Sequence, residues 1–398
     1  MSLKSFNLIV NNKISSFRKT INVDPDKSIS IRSFILGAIC QNISTAKNVL
    51  ESEDVKSTIT CIKKLGVKIK KIKSRNYLVY GKGLGSLTIK KNAKLNFGNS
   101  GTLARLLIGL LSTNPKIHLN LDGDHSLRKR SMKKLIKLMS KFGATFLPKN
   151  KFNLPLKMIS SDMPICINYK AGVSAQLKSA VILSALNSFG KTVIIDKKKS
   201  RDHTEMMLSK NSQVIKIKNL KDKTIEINGR RYLDPINIVV PGDISSSAFF
   251  AALTLLNNNS SLKIKNVSLN PTRIGFYKLL KKQNAKIKFL NLKKTNNEIT
   301  GDILIKSCKL KPIISPSYLY PSTADEFPIL FIIAALTKGV SIFKGIEDLA
   351  NKESDRIKEM QKVLKQIGIK TISSKDELKI FGKGMIDASD KRILVPNL

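Results

Sequence analysis

Five dense apolar runs punctuate the chain, each introduced by small or polar residues: DKSISIRSFILGAIC from Asp26, GNSGTLARLLIGLL from Gly98, GVSAQLKSAVILSAL from Gly172, GDISSSAFFAALTLL from Gly242 and TADEFPILFIIAAL from Thr323. The apolar positions are spaced to form helices. Counted from Lys27, Asn99, Ser174, Ser245 and Asp325, the steps are 72, 75, 71 and 80 residues. A second, more basic helix follows each run, beginning near Asp54, Arg128, Asp202, Thr272 and Asp355. Most close on a similar stop: LGVKI, FGATF, QNAKI and IGIKT. Short strands are expected between the helices, over residues 77–80, 116–121, 192–195, 236–240 and 261–264. Two more, over 5–10 and 19–23, flank a turn at Asn11 and Asn12. A period this long means one supersecondary unit used repeatedly, and a sixth copy would fall due near residue 400, where the chain stops at Leu398. Mixed strand and helix in this order predicts an α/β protein with helices packed on sheets.

The helix beginnings carry the candidate chemistry. Unpaired backbone N–H groups at a helix N-terminus, free of bulky side chains as at Gly98 and Gly101, make a place to hold an anion. Asn99 and Ser100 read equally well as turn and N-cap residues. In the first unit Lys27 sits at the extreme N-terminus, and Ser28 and Arg32, four apart, share a helical face; the set suits a carboxylate and a phosphate together, or is a solvated face. Residues 122–126 lead into Leu127-Arg128-Lys129-Arg130, a capped helix start with three cations where the dipole disfavours them, which a bound anion would explain. His203 reads as a packed or capping residue rather than a metal ligand, because no second His or Cys keeps ligand spacing. Asp325 and Glu326 open a very apolar helix, where carboxylates are usually caps. Lys352, Glu353 and Arg356 form either a surface ladder or a carboxylate held between cations for proton transfer.

Length and charge narrow the picture. A chain of 398 residues is expected to make two domains, and Asp24-Pro25-Asp26 and Pro241-Gly242-Asp243 are the best candidate joints. The net charge of +43 raises nucleic acid as a partner. Yet only 12 of the 71 basic residues are arginine, the lysines are spread over the whole length, and Trp is absent, so stacking platforms are scarce. A field this positive would still draw small acidic substrates. Cys40, Cys61, Cys166 and Cys308 keep no disulfide or zinc spacing and are expected to be buried, reduced thiols. No leader and no membrane-length apolar run appears, so a cytoplasmic protein is expected.

In their order and spacing, DKSISIRS, GNSGTLAR, SLRKRSM, SAQLKSA, RDHTEMML, PGDISSSAFF, NPTR, DEFP and KESDR resemble the 3-phosphoshikimate 1-carboxyvinyltransferases, or EPSP synthases. The likeness runs from about residue 20 to the end, with RDHTE and SAQLKSA closer to the class II branch. It implies a two-domain inside-out α/β barrel, each domain built of three βαβαββ units, with five of the six present here. Domain 1 would be residues 1–23 and 242–398, incomplete at its C-terminal end, and domain 2 residues 24–241. The implied reaction moves the carboxyvinyl group of phosphoenolpyruvate to the 5-hydroxyl of shikimate 3-phosphate, a step of the shikimate pathway, with no cofactor or metal. Asp325 would act on the hydroxyl and Glu353 on the methylene carbon, with Lys27 assisting. Lys27, Ser28, Arg32, Ser174, Ala175, Gln176, Arg201, Asp325 and Lys352 would bind shikimate 3-phosphate; Lys27, Asn99, Gly101, Arg130, Gln176 and Arg356 would bind phosphoenolpyruvate. Glyphosate is the implied inhibitor, with Leu106 standing where many relatives have proline. A monomer without nucleic-acid or membrane partners is expected.

The resemblance has one departure. The family continues into a DHR motif and a further lysine, and this chain ends just before them, so an incomplete sequence or a natural truncation with weak turnover is expected. The rival readings are a catalytically impaired remnant and a basic nucleic-acid-binding protein. UDP-N-acetylglucosamine enolpyruvyl transferase is a poorer match, since its reactive loop cysteine has no counterpart here.

Overall fold

The computed structural model describes residues 7–10, 14–219, 221–295, 297–351, 354–386 and 392–395. After β1 (Arg18–Asn22), the chain runs through α1 (Lys27–Ile39), β2 (Ile43–Lys47), α2 (Glu53–Lys64), β3 (Lys68–Lys73) and β4 (Asn76–Tyr80). The order recurs as β5 (Ala93–Asn96), α3 (Gly101–Ser112), β6 (His118–Asp122), α4 (His125–Lys129), α5 (Lys133–Lys141), β7 (Thr145–Leu147) and β8 (Leu156–Ile159). It recurs again as β9 (Asn168–Lys170), α6 (Ala175–Asn187), β10 (Lys191–Asp196), α7 (His203–Leu208), β11 (Ile215–Asn219) and β12 (Lys223–Asn228). Then come β13 (Asn237–Val239), α8 (Ile244–Leu256), β14 (Ser261–Ser268), α9 (Gly275–Lys282), β15 (Lys286–Thr295) and β16 (Glu298–Lys306). The last unit is β17 (Ile314–Ser315), α10 (Tyr320–Thr323), α11 (Phe327–Ala335), β18 (Gly339–Lys344), α12 (Arg356–Gln366), β19 (Lys370–Ser373) and β20 (Glu377–Gly382).

Among the described residues these strands form five four-stranded sheets, ordered β13-β2-β4-β3, β5-β6-β8-β7, β9-β10-β12-β11, β1-β14-β16-β15 and β17-β18-β20-β19. Each has one parallel pair at an edge and continues as antiparallel strands. Two edge strands are exchanged: β1 lies beside β14 and β13 beside β2. The chain therefore crosses twice, and the crossings are bonded to each other: Asp26 N–H donates to Pro241 O at 2.9 Å and Asp243 N–H to Asp24 O at 2.8 Å. The strand expected over 5–10 is not formed at residues 7–10, which are irregular and exposed, and Ser5 and Phe6 lie outside the described residues.

The repeat helices α1, α3 and α6 are buried on nearly every side, as helices apolar all round must be. They form the centre of a core running from Ile29 to Val240, with sheets outside them. A second core runs from Ile244 to Ile380 around α8 and α11, and Phe17, Ile21 and Val23 pack on it. Within the first, α3 and α6 meet backbone to backbone, and a Cβ on Gly109 would lie 2.7 Å from Ala180 Cα. The intervening helices α2, α5, α9 and α12 are amphipathic and bury one face. Cys40 and Cys61 are buried, with thiols pushed up to about 12 by burial. Cys166 and Cys308 are only half-buried, against expectation: each lies in the chain just outside a strand, before β9 and after β16. No helix among the described residues is long and apolar enough to cross a membrane.

Candidate active site

Three helix N-termini of the first core are tied to one another by side chains that begin on them. Asp26 caps α1, its carboxylate accepting from Ile29 N at 2.8 Å. Lys27 follows, half-exposed and paired with Asp54 at 3.1 Å. One turn on, Arg32 is 4% exposed. Its Nε donates to Thr204 Oγ1 at 2.9 Å, Nη1 to Ser28 O at 3.0 Å and Nη2 to Ser179 Oγ at 3.3 Å. Burial lowers its pKa to about 10, with Asp26 and Glu205 working the other way, so it stays cationic at neutral pH. Arg32 is thus a buried donor and not part of a solvated face, while Ser28 is half-buried and offers it a carbonyl.

At α3, Ser100 is the N-cap, accepting from Leu103 N at 3.3 Å, whereas Asn99 is exposed and accepts from Arg130 Nη2 at 2.5 Å. Arg130 also donates to Ser126 Oγ at 3.3 Å. A Cβ on Gly101 would stand 2.6 Å from Arg105 Nη1 and 3.0 Å from Arg130 Nη1, so two guanidiniums close over this helix start. Arg105 Nη1 reaches α6 as well, donating to Gln176 Oε1 at 2.8 Å, and Gln176 Nε2 donates back to Thr102 Oγ1 at 3.0 Å. Ser174 caps α6 by accepting from Leu177 N at 3.4 Å, which leaves its own O–H to donate elsewhere. Ala175 follows, half-buried. Like charges gathered at a positive helix end suit an anion of more than one charge.

The second core faces this set with Asp325. Its Oδ2 accepts from Arg201 Nη1 at 2.7 Å, and Arg356 Nη1, at the start of α12, stands 3.9 Å from Oδ1. Asp325 and Glu326 lie in the turn between α10 and α11, and Glu326, at the N-cap position, makes no side-chain cap bond. The reading of these carboxylates as caps is therefore corrected: Asp325 faces cations, and Glu326 accepts from Ser245 Oγ. Burial pushes the Glu326 carboxyl up, although Arg273 works against that. Arg273 donates to Ser245 Oγ at 2.7 Å; burial opposes its charge, but Asp26, Asp243 and Glu326 outweigh this and raise its pKa. Lys352 and Glu353 lie outside the described residues.

One further expectation changes and one holds. The cations of residues 128–130 fall in the last turn and C-cap of the short α4, where the dipole favours them. Arg128 is taken by Asp122 through bonds of 2.8 and 2.7 Å, so only Arg130 of the three reaches the α3 start. His203 is buried, as the packed reading expects, and its Nδ1 meets Glu298 Oε1 at 2.6 Å, joining α7 to β16 of the other core. Sequence reasoning passed over Arg105, Ser179, Thr204 and Arg273 as site residues. Arg105 was within reach of it, being one turn beyond Gly101 on the same helical face. Arg273 was not, because its partners lie 28 and more residues away.

A basic face built from several helix starts, met by a cation-flanked carboxylate from a second core, suits small anionic substrates, and the fold that carries it is the one found in enolpyruvyl transferases. More narrowly, the family model of EPSP synthase (3-phosphoshikimate 1-carboxyvinyltransferase) matches residues 11–394, and the chain belongs to that family. A 3-phosphoshikimate 1-carboxyvinyltransferase of Petrotoga mobilis is 40% identical over 369 residues, covering 92% of this chain and 84% of the relative. The solved EPSP synthase of Acinetobacter baumannii superposes with a TM-score of 0.80 at 35% identity, over 93% of this chain and 83% of that one. The enolpyruvyl transferase NikO of Streptomyces tendae, at 13% identity and TM-score 0.63 over 92% of this chain and 82% of its own, shares the fold.

Proposed function

We propose that this chain transfers the carboxyvinyl group of phosphoenolpyruvate to the 5-hydroxyl of shikimate 3-phosphate, releasing phosphate. A proton adds to the methylene carbon, C2 becomes electrophilic, and the hydroxyl attacks it as its own proton leaves. The tetrahedral adduct then expels phosphate and gives up a methyl proton, restoring the double bond. Asp325 takes the hydroxyl proton, Glu353 exchanges the proton at carbon, and Lys27 assists both. Ser28, Arg32, Ser174, Ala175, Gln176, Arg201 and Lys352 hold shikimate 3-phosphate. Asn99, Gly101, Arg130, Gln176 and Arg356 hold phosphoenolpyruvate, with Arg105 added to them here.

The observation that carries this reading is the pair of guanidiniums over the α3 N-terminus, Arg105 and Arg130, linked through Gln176 to the α6 start. Both substrates are polyanions, and such preorganised donors stabilise a departing phosphate. We further propose two domains, 24–241 and the combination of 1–23 with 242–398, acting as a cytoplasmic monomer without nucleic acid. The paired crossings and separate cores support that division.

The test is phosphate release on mixing the chain with both substrates. Release that requires both, with formation of the enolpyruvyl ether, is expected; release with either alone, or none, rejects the reading. Retention on DNA at physiological salt would instead favour the basic-protein alternative.

A further inference from the structure

Lys178 is a lysine with a fully buried side chain in the first turn of α6, two residues after Gln176. Its Nζ lies 2.6 Å from Asp196 Oδ2 and 2.7 Å from Glu205 Oε1, both also at 0% exposure, and donates to Ser200 O at 3.0 Å. Burying three charges costs several kcal/mol per ion before their attraction repays it, and an apolar set of equal volume is often as stable. Stability of the core is thus a poor reason for this arrangement. Burial works to neutralise Lys178, and Glu205 and Asp196 outweigh it, so the ammonium stays charged.

What the three groups share is the segment that carries Arg201. Asp196 ends β10, and Glu205 sits in α7 beside Thr204, the partner of Arg32. Ser200 is held three times: its carbonyl by Lys178, its N–H by Asp196 Oδ1 at 3.3 Å and its hydroxyl by Asp196 Oδ2 at 3.5 Å. On the other side of Arg201, Asp202 is pinned by Lys223 at 2.9 Å and by Asn270 at 2.9 Å. The backbone of Arg201 is therefore clamped from both flanks, and one clamp converges on a single ammonium.

We infer that Lys178 is a positioning residue for the shikimate 3-phosphate side of the site, fixing Arg201 and the Thr204–Arg32 contact from behind through Asp196, Ser200 and Glu205. The inference rests on the proposed function for its ligand, but not for its effect on the loop. The binding energy of a guanidinium depends on where it is held, and a displacement of about 1 Å can cost on the order of 100-fold.

Lys178→Met alone leaves two carboxylates buried without their cation and is expected to fold poorly. The informative variant is Lys178→Met/Asp196→Asn/Glu205→Gln, which removes all three charges at nearly constant volume. In the ligand-free chain, amide hydrogen exchange over residues 197–205 should quicken at least tenfold while α3 keeps its protection; unchanged exchange there overturns the inference. With shikimate 3-phosphate, affinity should fall about 10- to 100-fold while phosphoenolpyruvate affinity holds within about twofold. In an Arg32→Ala/Arg201→Ala background the same three changes should cost less than about twofold more, because the path runs through those two guanidiniums. Equal losses for both ligands, or the full loss in that background, would show a merely structural network. If the parent chain binds no shikimate 3-phosphate, the functional reading falls, and the exchange result still decides whether Lys178 holds the loop.

Discussion

Arg201 Nη1 and Asp325 Oδ2 stand 2.7 Å apart across the gap between the two cores, with Arg356 on the far side of the same carboxylate at 3.9 Å. The pair joins a loop after β10 to the turn before α11 through Nη1 alone, so an anion can take the other N–H donors of Arg201 and stand beside Asp325. On the proposed function, Asp325 is the base for the substrate hydroxyl. Asp325→Ala should lower kcat by about 10²- to 10⁴-fold, the usual worth of a general base, while shikimate 3-phosphate binds within a few-fold of the parent. Phosphate release and calorimetric titration read the two effects separately, and a loss confined to binding would give Asp325 a docking role only.

Gly101 is tight for a physical reason. An added methyl would come 2.6 Å from Arg105 Nη1 and 3.0 Å from Arg130 Nη1, but both are ends of flexible side chains and can move aside. Gly101→Ala should therefore keep its unfolding temperature within roughly 2–4 °C. Its KM for phosphoenolpyruvate should rise about tenfold, the cost of misplacing charged donors. Glyphosate inhibition should weaken with it. An unchanged KM would remove the two guanidiniums from the phosphoenolpyruvate site.

Gly109 meets backbone, which cannot move aside. Its added Cβ would lie 2.7 Å from both Ala180 Cα and Ala180 O, forcing α3 and α6 apart. Gly109→Ala should cost about 1–3 kcal/mol by overpacking and should also loosen the Arg105–Gln176 contact at the N-terminal ends of those helices. Thermal unfolding and phosphoenolpyruvate affinity should fall together. A destabilised protein with normal affinity would show that the helix spacing does not set the site.

Acid should expose the contribution of Asp122. The paired Arg128 bonds, joined by Lys94 and opposed by burial, hold its carboxyl well below the usual carboxylate range. A carboxyl depressed in the folded state contributes stability above its unfolded pKa of about 3.9, and this is lost as pH falls through the folded value. Asp122→Asn should therefore unfold roughly 2–4 °C below the parent at pH 7, with the gap closing below about pH 4. A gap that is the same at pH 7 and pH 3 would mean that Asp122 acts through shape and not charge.

Much of this protein is written locally. The apolar runs, their caps at Asp26, Ser100, Ser174 and Asp243, and the period between them depend on contacts within a few residues, so α1, α3, α6 and α8 and the repeating unit follow from the sequence. The same holds for the cation-rich helix starts at Lys27 and Gly101. Tertiary structure decided what those cations face. Arg128 and Arg130 are two residues apart, yet one is consumed by Asp122 and the other bends over Gly101, a choice set by the course of the chain after β6. Asp325 and Glu326 resemble caps until Arg201, 124 residues earlier, and Ser245, 81 residues earlier, are brought beside them. The exchange of β1 and β13 between sheets is likewise invisible to any local rule, because a strand's partner is set by which edge the folded cores leave open. Lys178 is the sharpest case: in the sequence it is one lysine among many in a basic chain, and only the closing of β10 and α7 over α6 places it, fully buried, between two carboxylates.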